Sequence, residues 1–475
     1  MLGGGLCCLC AQTASDALRY SQLEASSTAR TAGIGGAIGA LGADFATTSI
    51  NPAGLAMFRS SELIFSPSLA RTKVVGTLKG SGNAAQTDRK SSFGIANLAA
   101  VIATKPKSKR WKTFNIGIGM NCLATFKQRS YYEGASVGSI TDRFVEQANA
   151  GVFSDFESAI ANDALAIFKN QQGIYISDFT DYGGSVTKNQ SIATSGGINE
   201  LTFSFAGNYK EKLMIGATLG VPLLSFSEDK LYQETDPSGT IPFFKNLKYQ
   251  ENLTTDGAGV NLKFGLIYRP VQSLRFGLAV HSPTLFRLTD NYSATITYEY
   301  EDLGQTTSTE KKSPIGSFDY RLTTPFRAIG SAGFLFGKRG FLSGEIEWLD
   351  YTAATFDLLQ ASEKAYEREI NNNIAKRYQT AVNFRIGGEV VFDILRLRAG
   401  LGLLGSPYVG DSKVSPTYST GIGIRESDFY VDLAYQYRQT QEGYKPYLVS
   451  DADRQPIADQ RVTNNNFLLT FGYKF

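Results

Sequence analysis

Stretches in which every second residue is apolar recur along this chain and constrain its fold more than any other feature. In 201–210 the odd positions are Leu201, Phe203, Phe205, Gly207 and Tyr209, and the even ones Thr202, Ser204, Ala206, Asn208 and Lys210. Val260, Leu262, Phe264, Leu266 and Tyr268 alternate with Asn261, Lys263, Gly265, Ile267 and Arg269. Phe429, Val431, Leu433, Tyr435 and Tyr437 alternate with Tyr430, Asp432, Ala434, Gln436 and Arg438. A period of two puts successive side chains on opposite faces of an extended strand. Alternation alone leaves two solvents open for the apolar face: a protein core, as in a sandwich, or lipid, as in a barrel.

Loop lengths separate the two. The pattern predicts fourteen strands, near 62–72, 91–104, 113–127, 197–210, 212–227, 255–269, 272–300, 319–336, 340–353, 378–391, 394–405, 416–425, 428–440 and 465–475. Connections after even-numbered strands are short. Those after odd-numbered strands are usually long, the largest spanning 128–196. A membrane barrel sorts its loops this way, with short periplasmic turns and longer external loops. A sandwich has no reason to. In hydrocarbon the sheet must also close, because open edges leave backbone groups without partners. The expected fold is therefore all-β, a 14-stranded antiparallel transmembrane β-barrel.

Composition agrees. The chain holds 31 Phe, 24 Tyr and 48 Gly, and only 19% of residues are charged, against an ordinary level of about 25%. A mean hydropathy of −0.15 and no run of about 18 apolar residues argue against a helical membrane protein. The 47 basic and 44 acidic residues exclude a protein held to nucleic acid by bulk charge. One His and four Cys leave little for a metal cluster, and neither metal nor cofactor is expected.

The two ends carry separate signals. Residues 1–11 (MLGGGLCCLCA) read as the apolar part of a secretory signal with a truncated start; a buried N-terminal strand is the alternative. Removal of Cys7, Cys8 and Cys10 would leave Cys122 alone and no internal disulfide. At the other end Phe467, Leu469, Phe471, Tyr473 and Phe475 alternate with Leu468, Thr470, Gly472 and Lys474. This resembles the terminal strand that the bacterial barrel-insertion machinery recognises.

Residues 12–60 do not alternate. Five glycines fall within 31–42, and Ile34, Ile38, Leu41, Phe45, Ile50, Leu55, Met57 and Phe58 are too apolar for a linker. The expected organisation is a signal at 1–11, a folded N-terminal hatch at 12–60 and a barrel at 61–475. Asn51, Pro52, Ala53 and Gly54 read as the turn that fixes the hatch. Pro52 lacks an N–H and disfavours helix at Asn51, whose side chain can bond nearby backbone. Phe45, Leu55 and Phe58 are candidates for lining a ligand site. In the long insertion, Ser154 to Glu157 fits a capping box, followed by Phe156, Ala159, Ile160, Ala164, Ile167 and Phe168 at helical spacing. Phe156 and Ile160 are further candidates, at a greasy external mouth. A second helical stretch, 362–378, is mostly polar and is expected to be solvated.

No catalytic constellation stands out. His281 is the only histidine, and adjacent Ser282 points to the opposite strand face. Gly400, Gly402 and Gly405 fit G-x-G-x-x-G but run into Ser406-Pro407 rather than a helix; barrel-wall glycines explain them. Glu345, Glu347, Arg385, Glu389, Arg396, Arg398, Asp432 and Arg438 lie on polar faces and predict a wet, mixed-charge lumen.

These residues bring a resemblance with them. Ala29-Arg30-Thr31-Ala32-Gly33, Gly35-Gly36-Ala37 and Ser49-Ile50-Asn51-Pro52-Ala53-Gly54 resemble the N-terminal hatch of the FadL/TodX family of outer-membrane hydrocarbon and fatty-acid transporters. Thr324-Pro325-Phe326-Arg327, 340–356 and Phe475 add to it. The resemblance implies hydrophobic ligands caught at external loops, passed to a site inside the barrel, and released sideways at a kinked strand. The expected function is passive uptake of hydrophobic or amphipathic small molecules such as fatty acids, with hatch gating. A surface receptor or adhesin and an outer-membrane lipid hydrolase are the alternatives. Expected partners are the small-molecule ligand, outer-membrane lipid and the insertion machinery through the Phe475 strand, with no nucleic acid and a monomeric barrel.

Overall fold

The computed structural model describes residues 13–24, 27–182 and 184–475. The expected secretory signal at 1–11, with its three cysteines, lies outside the described residues. Fourteen strands form one antiparallel sheet: β1 (Glu62–Leu78), β2 (Gln86–Thr104), β3 (Trp111–Thr125 and Gln128–Val137), β4 (Ser185–Tyr209), β5 (Leu213–Thr235), β6 (Phe244–Val271), β7 (Leu274–His281 and Leu285–Asp302), β8 (Gln305–Lys312, Gly316–Thr323 and Arg327–Leu335), β9 (Gly340–Asp350 and Thr355–Leu358), β10 (Thr380–Phe392), β11 (Leu395–Gly405), β12 (Val414–Arg425), β13 (Phe429–Tyr444) and β14 (Ala458–Lys474). β14 pairs with β1 from Glu62↔Lys474 to Leu78↔Ala458 and closes the barrel. Closure satisfies the backbone groups that an open edge would strand in hydrocarbon.

The apolar faces point outward. Leu63, Phe65, Phe203, Phe205, Leu262, Phe264, Leu433 and Phe471 are exposed on the outer wall. Tyr209 and Tyr437 are half-buried on the same face. Among the described residues no helix is long and apolar enough to cross a membrane. One end of the barrel carries only short turns, at 105–110, 210–212, 272–273, 336–339, 393–394 and 426–428; the other carries 138–184 and 359–379. The first is the periplasmic end, the second the external end.

Several strands run further outward than the alternation predicts. β4, β5 and β6 begin or end about ten residues beyond their apolar stretches. β7 and β8 meet in a two-residue turn at Leu303 and Gly304 where a long loop is expected. Above the membrane the outer face of a strand meets water, while the inner face packs under the external loop, where Val186, Tyr232, Leu247, Ile296 and Tyr298 are buried; the outward apolar period therefore ends while the ladder continues.

The external helices also differ from expectation. Helix α3 (Ile140–Asn149) is opened by a capping box of Ser139 and Asp142. Helix α4 is short (Ser158–Asp163), and no side chain caps it. Ser154 does not cap it: its Oγ accepts the Phe156 N–H at 3.2 Å in a preceding turn. The Glu157 carboxylate reaches instead to Arg143 at 2.9 Å. Helix α5 (Lys364–Arg377) is not wholly solvated, since Ile370 and Ile374 are buried.

The N-terminal segment plugs the lumen. Residues 31–58 are buried except for half-buried Ala43 and Met57. The segment contains two short helices, α1 (Ala14–Ser21) and α2 (Ala29–Gly33), and two 3₁₀ turns (Phe45–Ser49 and Pro52–Met57). It fits because wall glycines admit its backbone. A Cβ on Gly265 would lie 2.0 Å from Asn51 Oδ1, and one on Gly400 would lie 2.2 Å from the Ile34 carbonyl carbon.

Candidate functional site

From the periplasmic end upward, the lumen is layered. At the floor Phe45, Leu55 and Phe58 pack with Ile64, Val101, Met214 and Ile267 of the wall. Asn115 donates to the carbonyls of Leu55 at 2.8 Å and Phe58 at 3.0 Å. Arg59 pairs with Glu211 beneath this floor.

Asn51 joins the plug to the wall and to itself. Its backbone is extended, as the following proline requires. Its Oδ1 accepts the Ala53 N–H at 3.2 Å, and its carbonyl accepts the Gly54 N–H at 2.9 Å. Its Nδ2 donates to the Gly39 carbonyl at 2.7 Å and the Leu266 carbonyl of β6 at 3.2 Å. Pro52, Ala53 and Gly54 are all buried.

A charged layer lies above. Lys263 pairs with Glu200, whose other oxygen accepts from Ser49 of the plug at 2.7 Å. Arg385 bridges Glu345 at 2.9 Å and Glu347 at 2.6 Å, and Glu345 accepts the Gly39 N–H at 3.0 Å. Arg398 holds Glu389 and Asp432, each at 2.6 Å. Arg438 pairs with Glu24 of the plug. Arg396 stays at the periplasmic turn, bonded to backbone carbonyls. These groups face the lumen, but each is engaged, so the interior is a latched polar layer rather than an open wet channel. His281 Nε2 bonds the Ile50 carbonyl at 2.8 Å. Ser282 Oγ accepts the Leu262 N–H at 2.9 Å.

The cavity beside Ile50, Lys263, His281, Pro325 and Arg327 is only about 40 Å³. That holds a few waters and no organic ligand. It sits where β7 breaks at 282–284 and β8 breaks at 324–326.

Next comes an apolar layer that the sequence reading missed. Phe226, Phe286, Leu288, Phe318, Leu322 and Phe356 face inward and are buried, packed around Ala17, Leu18 and Tyr20 of the first plug helix. The signal was present at 285–288, where Leu285 and Leu288 sit on opposite faces and Phe286 joins Leu288 on the inner one. An apolar residue on the lumen side of the alternation marks a dry interior.

Outermost, α3 and α4 build a lid. Ile160 is buried with Ile140, Phe144 and Phe179. Phe156 is half-buried, its ring 4.6 Å from that of Tyr292. Arg454 holds Asp142 at 2.8 Å. Burial raises the Asp142 carboxyl above its ordinary range, against the pull of the Ser139 N–H and Arg454.

One seam of the wall is incomplete. β2 pairs with β3 only from Asn97↔Asn121 to Thr104↔Phe114. Above this point β2 still pairs with β1, up to Gln86, and β3 still pairs with β4, up to Val137. The two strands have parted. β3 leaves its ladder at Phe126 and Lys127, and its upper half leans inside β1: a Cβ on Gly76 would lie 2.5 Å from the Tyr131 carbonyl oxygen. Asn121 is the last rung and a plug anchor together. It accepts from Ser27 and donates to Thr48 at 3.0 Å and Ser49 at 2.8 Å. Lys127 Nζ spans the parting to the Phe93 carbonyl at 3.1 Å.

A closed barrel with an apolar outer belt, short turns at one end and a folded N-terminal plug defines an outer-membrane-type plugged barrel. Solved structures share this fold. A Pseudomonas aeruginosa FadL homologue superposes with a TM-score of 0.57 at 15% identity, over 94% of this chain and 98% of that one. The Pseudomonas putida toluene transporter TodX gives 0.51 at 13% identity, over 95% and 98%. No family model and no curated protein matches the sequence. The chain has the FadL/TodX-type fold, that of a bacterial outer-membrane barrel.

Proposed function

We propose that this protein is a passive outer-membrane transporter that takes up hydrophobic or amphipathic small molecules and releases them sideways between β2 and β3. The observation that carries the proposal is Asn121, where the last β2–β3 rung and three plug residues share one side chain. A ligand that displaced the plug would loosen the lower border of the parting. The apolar layer around the first plug helix is the internal ligand site in this reading, and ligand competes there with Leu18 and Tyr20. Phe156 and Ile160 belong to external capture. Asn51, Pro52, Ala53 and Gly54 set the plug's resting position. Phe45, Leu55 and Phe58 form the floor a ligand meets only after the plug shifts. The Phe475 strand is the insertion signal. A toluene transporter and a FadL homologue share the fold, so aromatic hydrocarbons and long-chain fatty acids are the two ligand classes to test.

The test is uptake of labelled toluene and of a labelled long-chain fatty acid by cells lacking their own transporters of this kind. Expression of the protein is expected to raise uptake of at least one, and Asn51→Ala to lower it with assembly intact. A fully assembled protein that raises neither, as an adhesin would, overturns the reading.

A further inference from the structure

The outer wall of β1, β2 and β14 changes from apolar to cationic at one level. On β1, Leu63, Phe65 and Leu69 give way to Arg71 and Lys73; on β2, Phe93 gives way to Arg89; on β14, Phe471 and Phe467 give way to Asn465 and Arg461. Pairing sets these residues side by side. Arg71 is opposite Asn465, Lys73 is opposite Arg89 on one side and Thr463 on the other, and Val75 is opposite Arg461. Arg71 and Lys73 stand roughly 23–28 Å above Glu62, at ~3.3 Å per residue and a ~40° tilt. That is the height of the hydrocarbon band, so the cations sit at its external border.

No ion pair among the described residues includes Arg71, Lys73, Arg89 or Arg461. Arg321, another outward cation on the external half, does meet an acid, Asp357 at 3.4 Å. Asp459, further up the same face, is taken by Lys79 at 3.5 Å. Lys directly opposite Arg in a ladder is destabilising, and here no protein carboxylate offsets it. Between the cations lies an open cleft of about 410 Å³, lined also by Tyr435 and Phe467.

We propose that this cleft binds the phosphorylated headgroup of a lipid of the external leaflet. Arg71, Lys73 and Arg89 hold the phosphates, with Arg461 above them. Tyr435, Phe467 and Phe93 pack against the upper part of the acyl chains. Charge selects a phosphate over a neutral headgroup, and the aromatic floor selects a lipid over a free anion. The site needs only the membrane orientation of the barrel and is independent of transport.

Native mass spectrometry of the detergent-purified protein, with bis-phosphorylated lipid A or its dephosphorylated counterpart, tests it. The wild type is expected to retain the phosphorylated lipid selectively, and millimolar inorganic phosphate to leave it bound. Arg71→Ser/Lys73→Ser/Arg89→Ser is expected to weaken retention by at least about tenfold, near 1.4 kcal/mol, with ligand uptake unchanged. Should that variant fail to assemble, Lys73→Glu serves instead. It pairs with Arg89 and supports the fold, yet is expected to lose the lipid. Equal retention of the two lipids, displacement by phosphate alone, or full retention by an assembled variant overturns the proposal.

Discussion

Two seams of the same barrel, β14–β1 and β2–β3, are held in opposite ways. The β14–β1 ladder runs nearly the whole length of both strands. The β2–β3 ladder stops at Asn97 and Asn121, and the strands diverge above it. Both seams cross the same hydrocarbon, so lipid does not dictate the difference. At the complete seam, wall closes on wall. At the incomplete one, the backbone groups of upper β3 turn inward beneath β1, and the last rung is tied to the plug. A barrel stable enough to span a membrane can therefore leave one seam undone, provided the plug and an inward-leaning strand cover it.

Cross-linking offers the strongest contrast. In a Cys122→Ser background, cysteines at Phe93 and Lys127 joined by a cleavable bifunctional reagent are expected to abolish uptake, and cleavage to restore it. The same reagent across Thr77 and Asp459 of the complete seam is expected to leave uptake unchanged. Equal inhibition at both seams would remove the special role of β2–β3.

Next in size is a lipid-face charge. Leu433→Arg is expected to cost about 2–4 kcal/mol, read as a lower urea midpoint in detergent. Tyr437→Arg, nearer the external interface, should cost about 0–1 kcal/mol.

Loss of the shared rung comes third. Asn121→Ala leaves Thr48, Ser49, Ser27 and Asn97 short of partners, at about 1–3 kcal/mol for a buried unpaired group. Because this acts on the plug, planar-bilayer conductance is expected to rise while heat-modifiable mobility stays that of an assembled barrel. A quiet, closed bilayer record would separate the rung from the plug.

A smaller effect is expected from Asn51→Ala. It removes both Nδ2 donations and the acceptor for the Ala53 N–H, and uptake should fall by several-fold at most. The smallest lies in the lid. Arg454→Ala frees Asp142 at a part-exposed site, worth about 1 kcal/mol or less, detectable as faster protease cleavage within 138–184 and not as lost uptake.

What could be read from sequence follows the solvent. All fourteen strands announce themselves where one face meets lipid, because Phe203, Leu262 or Leu433 must be apolar there and their neighbours need not be. Beyond the membrane that requirement lapses, and the extensions of β4, β5 and β6 lose the outward apolar period, with buried residues such as Tyr232 and Leu247 on the inner face instead. The composition of the plug was legible, and Asn51-Pro52 was legible as a turn. Its wall partners were not, since Ala29 N–H reaches Thr470 Oγ at 2.8 Å across the length of the chain. The parting of β2 from β3 is a property of backbone pairing and of a two-residue departure at Phe126 and Lys127, which no side-chain pattern encodes. Helix α3 escaped notice because Ser139 is capped reciprocally by Asp142 rather than by Glu or Gln.

The bond between Ala29 and Thr470 also bears on the order of assembly. Its donor is delivered among the first residues of the barrel's chain and its acceptor among the last. Gln436 adds a contact from β13 to the Ala32 carbonyl at 3.2 Å. A nascent chain lacking β14 therefore has neither a sealed wall nor a fully seated plug. The strand that closes the wall is thus also the one that supplies an anchor of the plug.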